Sequence, residues 1–149
     1  MAKMLSVIMN KGVDNSALYQ SVNSGLTDIT SNWAKGHINY CYTTGIIAGR
    51  GNGKFDPAAT VTGNEAAKML LVAAGYDAQL EGLTGADWPS RPPLWLYPGI
   101  FDNLSVATSD PLTRDNAALL IYNALDIEMI QKYENGYAIA FTDHRTLLS

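Results

Sequence analysis

Apolar residues recur at helical spacing in several stretches of the chain, and glycines mark where some of these stretches end. The first stretch predicts a helix with an apolar stripe formed by Met4, Leu5, Ile8 and Met9. Gly12 is expected to stop this helix at its C′ position. A second helix is predicted from a cap at Ser31 or Asn32 to Gly45. Its apolar positions are Trp33, Ala34, Ile38, Cys41 and Tyr42.

A third helix is predicted to begin with a capping box, in which Thr62 and Glu65 each satisfy an N–H group of the other residue. It is expected to end at Gly75, and its apolar positions are Ala66, Ala67, Met69, Leu70 and Ala73. The segment between the second and third helices has glycines at the alternate positions 49, 51 and 53. Because glycine adopts positive φ without steric cost, this loop can approach another backbone closely.

Self-similarity along the chain indicates an internal repeat made of a helix, a glycine-containing loop and a second helix. Residues 62–70 align with residues 113–121, and the Ala-Lys-Met-Leu sequence at the start of the chain recurs inside the third helix. Trp33 in the second helix corresponds to Trp88. The chain therefore contains two and a fraction copies of one unit. A single unit exposes an apolar stripe that neighbouring units must cover, and three units packed around a common axis would do so.

The third copy departs from this pattern where its first helix is expected. Prolines at positions 89, 92, 93 and 98 disfavour a helix interior, so at most a short turn over residues 93–97 is predicted. Further along, Asn135-Gly136 lies between two β-prone runs, which is a strong signal for a hairpin. The chain is therefore expected to be mainly α-helical with a short C-terminal β-hairpin.

Composition narrows the function classes open to this chain of 149 residues, which is about one domain long. Ten basic and fourteen acidic side chains give a net charge of −4, which argues against a general nucleic-acid binder. No apolar run approaches the roughly 20 residues needed to cross a bilayer. Cys41 is the only cysteine, so no disulfide framework is expected. His37 is interpreted as an ordinary surface or hydrogen-bonded helix residue, and neither a metal site nor a cofactor is expected.

Residues 26–70 resemble a repeat of the S-layer homology (SLH) family at many positions. The shared features are the start Leu26-Thr27-Asp28-Ile29, the helical Trp33-Ala34, Gly45-Ile46, the loop that ends in Phe55-Asp56-Pro57, and the helix start Val61-Thr62. Residues 112–118, which contain Arg114, resemble the same helix start in a more diverged repeat. The resemblance covers residues 1 to about 126.

The resemblance implies a non-catalytic module of three SLH repeats in a pseudo-threefold helical bundle, which anchors a surface protein to the cell wall. The implied partner is an acidic, for example pyruvylated, secondary cell wall polysaccharide of a Gram-positive-type bacterium, bound in grooves between repeats that are lined by Arg and aromatic side chains. The candidate ligand-binding residues are Arg114, Trp33, Trp88, Arg50, Gly51, Gly53, Lys54 and Asp28.

This interpretation divides the chain into four segments. Residues 1–25 are the end of a first repeat and a linker, residues 26–80 are the second repeat, and residues 81–128 are the diverged third repeat. Residues 129–149 form a hairpin or a linker to a following domain. The uncapped start of the chain indicates an excerpt from a larger extracellular protein of the cell wall or S-layer, whose signal peptide lies outside the excerpt.

Arg114 can be argued from the residues alone. It falls in or beside the first turn of a helix, where a cation is opposed by the helix macrodipole at a cost of about 0.3–1 kcal/mol. The position becomes favourable if an anion, such as a pyruvate-ketal carboxylate or a phosphate, binds to the guanidinium and to free N–H groups. Pairing with a local carboxylate is the alternative. Gly63 occupies the equivalent position in the second repeat, where Arg50 and Lys54 are candidates to replace part of the charge.

Three function classes follow from these residues: a wall-anchoring module, a scaffold for protein interaction or self-assembly, and an enzyme. Trp33 and Trp88 are interpreted as core anchors in preference to plates that stack on a sugar, and both interpretations stay open. A glycosidase needs two carboxylates about 5–10 Å apart, for which Asp28, Asp56 and Glu65 are nominal candidates. Each of these has a better structural role as a cap or turn residue, so an enzyme is not expected.

Overall fold

The computed structural model of the chain describes residues 1–85, 93 and 96–149. These residues form two compact units, Met1–Ala59 and Thr60–Ser149. The predicted second repeat, residues 26–80, contributes its first helix to one unit and its second helix to the other. Trp88 and most of the proline-rich segment lie outside the described residues.

The first unit contains α1 (Ala2–Met9), a 3₁₀ turn (Ser16–Tyr19) and α2 (Lys35–Thr43). Both α1 and the 3₁₀ turn pack against α2. The core is formed by buried apolar side chains of the helices and of the segments that flank α2, namely Leu5, Leu26, Ile29, Ala34, Ile38, Cys41, Ile46 and Ile47. Burial raises the pKa of the Cys41 thiol to about 12, so this thiol stays protonated and unreactive at neutral pH.

Gly12 has a positive φ of 85°, but the C′ residue that ends α1 is Lys11, one position earlier. Lys11 has a φ of 55°, and its N–H donates to the carbonyl of Ile8 at 2.9 Å. The N–H of Gly12 donates to the carbonyl of Val7 at 2.8 Å, which completes a Schellman motif. The sequence therefore located the end of the helix correctly but assigned its C′ residue one position too late.

The second helix, α2, begins at Lys35, later than the sequence predicts. The side chain of Asn32 accepts the N–H of Ala34 at 2.8 Å, so it forms a turn ahead of the helix and does not cap it. As a result, Trp33 lies outside the helix. Gly45 follows the end of α2 with a φ of 79°, as expected.

The second unit contains α3 (Gly63–Ala73), a 3₁₀ turn (Pro98–Phe101), α4 (Arg114–Ala124), β1 (Ile130–Glu134) and β2 (Tyr137–Ala140). The two helices pack against each other, and α4 also contacts the 3₁₀ turn. Buried apolar side chains of this unit include Ala66, Ala67, Leu70, Leu71, Ala74, Leu83, Ile100, Leu120, Ala124 and Ile127. The helices predicted from the aligned segments 62–70 and 113–121 thus lie side by side.

The start of α3 confirms the predicted capping box. The Thr62 hydroxyl accepts the N–H of Glu65 at 3.2 Å, and the Glu65 carboxylate accepts the N–H of Thr62 at 3.0 Å. At the other end, Gly75 has a φ of 99°, and a Cβ atom there would lie 2.5 Å from the carbonyl oxygen of Ile130. Gly75 is therefore required both by its conformation and by the close approach of the hairpin.

The predicted hairpin is confirmed, and it packs within the second unit. Strands β1 and β2 pair antiparallel around Asn135 and Gly136, whose φ values of 51° and 81° fit a type I′ turn. The Tyr133 hydroxyl donates to Glu81 at 2.8 Å and accepts the N–H of Asp77 at 2.9 Å. These contacts tie the hairpin to the turn that follows α3, and desolvation by burial is the main reason that the pKa of Tyr133 rises to about 12.

Of the residues that the structure describes, 34% are helical and 11% are in strands, so the fold is mainly α-helical, as predicted. Of the proline-rich segment, the described part includes Pro93, which is buried, and Pro98, which opens the second 3₁₀ turn. Because Pro98 lies in a first turn, its missing N–H costs no internal hydrogen bond. None of the described helices is long and apolar enough to cross a membrane.

Gly36 lies in α2 where the 3₁₀ turn crosses it, and a Cβ atom at this position would overlap the carbonyl oxygen of Ser16. Helix propensity alone favours alanine over glycine by about 1 kcal/mol. The overlap outweighs this preference, so we expect Gly36→Ala to lower the free energy of unfolding by about 1–3 kcal/mol, measured by urea denaturation. Lys35→Ala is the neighbouring control and should change little. A stabilised Gly36→Ala variant would contradict the close approach.

Candidate functional site

A tight loop over residues 49–56 follows α2. The N–H of Arg50 donates to the carbonyl of Lys54 at 2.7 Å, and the N–H of Lys54 donates to the carbonyl of Gly51 at 2.9 Å. Between them, Asn52 and Gly53 have φ values of 51° and 68°, which fit a type I′ turn. The loop therefore holds two exposed cationic residues, Arg50 and Lys54, at the two ends of one turn.

Close backbone contacts fasten this loop. Thr27 donates its N–H and its hydroxyl to the carbonyl of Gly53, at 2.9 and 3.2 Å. A Cβ atom at Gly49 would lie 2.8 Å from the carbonyl oxygen of Lys54, so this glycine lets the two sides of the loop approach each other. A Cβ atom at Gly53 would likewise lie 3.0 Å from the carbonyl oxygen of Gly25, so Gly49 and Gly53 serve the close approach that the sequence predicts, whereas Gly51 has open space at its Cβ position.

Asp28 orders the far end of the same loop. Its carboxylate accepts the N–H of Phe55 at 3.0 Å and the N–H of Asp56 at 2.7 Å. The hydrogen bond from Phe55, followed by the one from Asp56, lowers the pKa of Asp28, and the Lys54 charge adds a smaller effect. The structure thus brings together five of the predicted site residues: Asp28, Arg50, Gly51, Gly53 and Lys54.

Trp33 is 75% exposed, so its interpretation as a core anchor is wrong. Because α2 begins only at Lys35, this side chain precedes the helix and does not point into the core. Its indole meets the ring of His37 edge to face, with the ring centroids 6.5 Å apart. An exposed indole presents an apolar face together with an N–H donor. The alternative role, stacking on a sugar, therefore stays available to Trp33.

Arg114 is the first residue of α4, and its side chain is exposed. Thr113 caps this helix, since its hydroxyl accepts the N–H of Asn116 at 3.2 Å. The side chain of Asn116 is buried and accepts the N–H of Ser105 at 3.0 Å, which fixes the helix start on the preceding segment. Within the described part of the chain, Arg114 forms no salt bridge, so the alternative pairing with a local carboxylate is not observed.

At the equivalent start of α3, the backbone of Thr108 covers the first turn of the helix. Gly63 is buried, and a Cβ atom there would lie 3.0 Å from the carbonyl oxygen of Thr108. The N–H of Asn64 donates to that same oxygen at 2.8 Å. Gly63 therefore makes room for the backbone at Thr108. At this helix start, the position that Arg114 occupies in α4 has no charged side chain and serves packing.

A polar cluster that the sequence did not indicate surrounds His37. Its Nδ1 atom is 2.6 Å from the Ser6 hydroxyl on α1, and its Nε2 atom is 3.7 Å from the Asp14 carboxylate. Ser6 and His37 lie 31 residues apart in sequence, so no local spacing could have revealed their contact. Ser6 is 5% exposed, and its hydroxyl also lies 3.0 Å from the carbonyl of Lys3. Because this hydroxyl is buried and engaged, the cluster is not arranged as a nucleophilic site.

Two of the three carboxylates that were considered as catalytic candidates have structural roles. Asp28 and Glu65 accept hydrogen bonds from backbone N–H groups, as described above for the loop and for α3. Asp56 occupies a left-handed turn position with a φ of 59°. Among the residues that the structure describes, no group of three or more His, Cys, Asp or Glu side chains is placed to hold a metal ion.

These features define a mainly helical fold with exposed cations on a glycine-rich loop and at the start of α4. The family model of the S-layer homology domain matches residues 25–67, which contain Asp28, Trp33 and the whole glycine-rich loop. The predicted resemblance to the S-layer homology family is thereby confirmed for residues 25–67.

Relatives among curated proteins extend this match. A cell surface protein of Thermoanaerobacter kivui is 31% identical over 83% of the chain, and a surface layer protein of Brevibacillus choshinensis is 25% identical over 87%. An exoglucanase, XynX of Acetivibrio thermocellus, is 26% identical over 91% of the chain. The chain spans only 15%, 11% and 13% of the length of these relatives, respectively. No solved structure matches the chain significantly.

The family and the relatives agree on the kind of location in which this module works. They associate the chain with the cell surface or the cell wall, as predicted. These matches support a surface module of the wall-anchoring kind. The exoglucanase match covers a small part of that enzyme and does not extend its activity to this chain.

The charge of Asp28 generates a prediction about acid stability. Because its pKa is lowered in the folded state, its stabilising effect is present above the pKa of an unfolded aspartate, about 3.9, and disappears as the pH falls through the folded value. We expect Asp28→Asn to lower Tm at pH 7 and to show a progressively smaller deficit as the pH falls below about 4, in thermal melts from pH 7 to pH 2. Asp56→Asn, in the same loop, is the control. An equal deficit at both pH values would show that the charge of Asp28 is not involved.

Proposed function

We propose that this module anchors its parent protein by binding an acidic secondary cell wall polysaccharide, such as a pyruvylated one. The observation that carries the proposal is the exposed guanidinium of Arg114 at the first position of α4, without a salt bridge in the described part of the chain. A helix of this kind would be more stable with an acidic residue there, because the macrodipole disfavours a cation by about 0.3–1 kcal/mol. An anionic ligand reverses the sign of that interaction.

The start of α4 suits a carboxylate or phosphate group. The first four N–H groups of a helix lack partners within the helix, and the Thr113 cap satisfies the one on Asn116. The exposed guanidinium of Arg114 belongs to the same first turn as these N–H groups, and Arg can bind a carboxylate through two parallel hydrogen bonds. Asn116, held by Ser105, keeps this helix start in place before any ligand binds.

The first unit supplies further candidate contacts with the polymer. Arg50 and Lys54 project from a loop whose backbone is already fixed by hydrogen bonds. Gly51 has open space at its Cβ position and allows a sugar chain to approach that backbone closely, whereas Gly53 makes room for the carbonyl of Gly25. Asp28 is assigned an indirect role, since its carboxylate holds the loop at Phe55. The exposed indole of Trp33 is assigned to stacking on a sugar ring, and Trp88 remains a candidate for the same role outside the described residues.

The net charge of −4 requires that attraction to an acidic polymer be local. Exposed charges interact over about 8 Å at physiological ionic strength, so the binding should weaken as salt is raised above about 0.15 M. A module bound mainly through sugar stacking would depend little on salt. Salt dependence therefore separates the contribution of the cations from that of Trp33.

Arg114→Ala tests the proposal directly. Loss of charge-assisted hydrogen bonds is worth about 1.5–3 kcal/mol, so we expect retention on purified cell walls, or affinity for the isolated polymer, to fall about tenfold or more. Tm should stay unchanged or rise slightly, because alanine relieves the unfavourable macrodipole contact. Arg145→Ala is the matched control, because it removes a guanidinium that is already paired with Asp143 in the same unit.

The same experiment on polymer stripped of its acidic substituents identifies the group that is recognised. Wild type and Arg114→Ala should then bind equally weakly. If Arg114→Ala loses stability and keeps its retention on walls, Arg114 is structural and the assigned site is wrong. Self-association of a wild-type chain that does not bind walls would favour an assembly scaffold, and release of reducing ends from the polymer would favour an enzyme.

A further inference from the structure

Strand β2 is an edge strand, because within the described residues it pairs with β1 alone. Glu134 and Tyr137 flank the two-residue turn and lie opposite each other. In such a hairpin this first pair exchanges both backbone hydrogen bonds, so the N–H and C=O groups of the next pair point away from the partner strand. The next residue of β2 is Ala138, and its backbone groups therefore face outwards.

A hydrogen bond at the other end of the hairpin shows that Ala140 faces the same way. Ala140 lies opposite Ile130, whose N–H donates to the carbonyl of Ala74 at 2.7 Å and so points away from β2. Opposite residues in an antiparallel pair turn their backbone groups either both inwards or both outwards. The outer edge of β2 thus carries the N–H and C=O groups of Ala138 and Ala140, and no described backbone group outside the hairpin bonds to them.

The side chains of this edge do not prevent another strand from pairing with it. Natural edge strands are commonly protected by a charge, a proline or a bulge. Residues 137–141 contain neither a charged residue nor a proline, and the irregularity in the hairpin register lies on β1. Tyr137 and Ile139 are exposed on one face of β2, and by alternation Phe141 lies on the same face. The edge is therefore open to a further strand, with apolar side chains beside it.

Residues 137–141 read Tyr-Ala-Ile-Ala-Phe, which is the same order of residue classes in both directions. Two antiparallel copies of one strand, related by a twofold axis, match that strand against its own reverse. A sequence of aromatic, alanine, isoleucine, alanine and aromatic residues meets this condition. The pattern therefore favours a second copy of the same strand over a strand of unrelated sequence.

We propose that the outer edge of β2 pairs with the same strand of a second copy of this chain, so that two hairpins form one four-stranded antiparallel sheet. In the register centred on Ile139, Ala138 of each copy lies opposite Ala140 of the other, and every outward N–H and C=O group of these residues gains a partner. Ile139 then lies opposite Ile139, and Tyr137 lies opposite Phe141 on each side of it. Apolar cross-strand pairs of this kind stabilise antiparallel sheets.

The charges beside this edge do not oppose a second copy. On β1, the Lys132 ammonium pairs with the Glu134 carboxylate. The guanidinium that stacks on the ring of Phe141 belongs to Arg145, which is paired with Asp143. Each cation is thus balanced by a carboxylate of its own copy, and the two apolar strands meet without like charges opposite each other.

The contact is short, so the dimer is expected to be weak. An edge of this length buries less than the roughly 1,200 Å² of the smallest standard interfaces, and we expect a Kd of about 10⁻⁴ M. The contact needs no polymer, because the hairpin alone forms it. Arg114→Ala, which tests the proposed wall binding, should therefore dimerise like the wild type.

Charge exchange at the centre of the contact tests this register. Sedimentation velocity from about 10 µM to about 1 mM should show the wild type passing from monomer to dimer without any polymer. Ile139→Lys and Ile139→Glu should each stay monomeric, because two copies of either variant would place like charges opposite each other. An equimolar mixture of the two variants should dimerise again, since each ammonium then faces a carboxylate. Tyr122→Lys, which adds a charge at an exposed site on α4, is the matched control and should dimerise like the wild type.

Hydrogen exchange in the wild type locates the contact without any substitution. The amides of Ala138 and Ala140 should exchange more slowly as the protein concentration rises, whereas that of Ile139, already bonded within the hairpin, should change little. Because Ile139 is exposed, both of its variants are expected to fold, which thermal melts check. A wild type that stays monomeric at about 1 mM would leave the edge to a different partner and overturn the inference. Folded variants whose mixture does not dimerise, or protection that does not alternate along β2, would overturn it as well.

Discussion

Backbone N–H groups at the start of a helix need acceptors, and this chain satisfies them differently at two equivalent helices. At α3, Thr62 accepts one N–H and the carbonyl of Thr108 accepts another, which buries the helix start against the chain. At α4, Thr113 caps the helix in the same way, but Arg114 faces solvent. The same repeat pattern therefore gives a packing contact at Gly63 and an exposed cationic helix start at Arg114. The proposed wall binding depends on the second of these.

The glycine-rich loop shows a second use of backbone hydrogen bonds. Because Asp28 and Thr27 hold the loop in place, Arg50 and Lys54 stand on a backbone that needs no ordering when a ligand arrives. The same carboxylate that looked like a nominal catalytic group in the sequence thus acts as a structural acceptor. The loop therefore depends on an ionised carboxylate, which becomes protonated only at acidic pH.

Helix α2 organises the first unit, although it is only nine residues long. Gly36 admits the backbone of the 3₁₀ turn, and His37 joins α1 to the segment at Asp14. Directly before the helix, Trp33 is exposed and touches the ring of His37. The predicted sugar-stacking side chain therefore adjoins the polar contacts that join α1 to α2.

Local sequence by itself determined the capping box at Thr62, the Asn135-Gly136 turn and the close approach of Gly49 to Lys54, because each depends on residues a few positions apart. It also determined the family through the same local spacings. Only the tertiary structure decided that Gly63 accommodates Thr108 and that His37 meets both Ser6 and Asp14. It likewise decided the exposure of Trp33. These outcomes depend on which distant segment packs against a residue, and the periodicity of a single stretch carries no information about that choice.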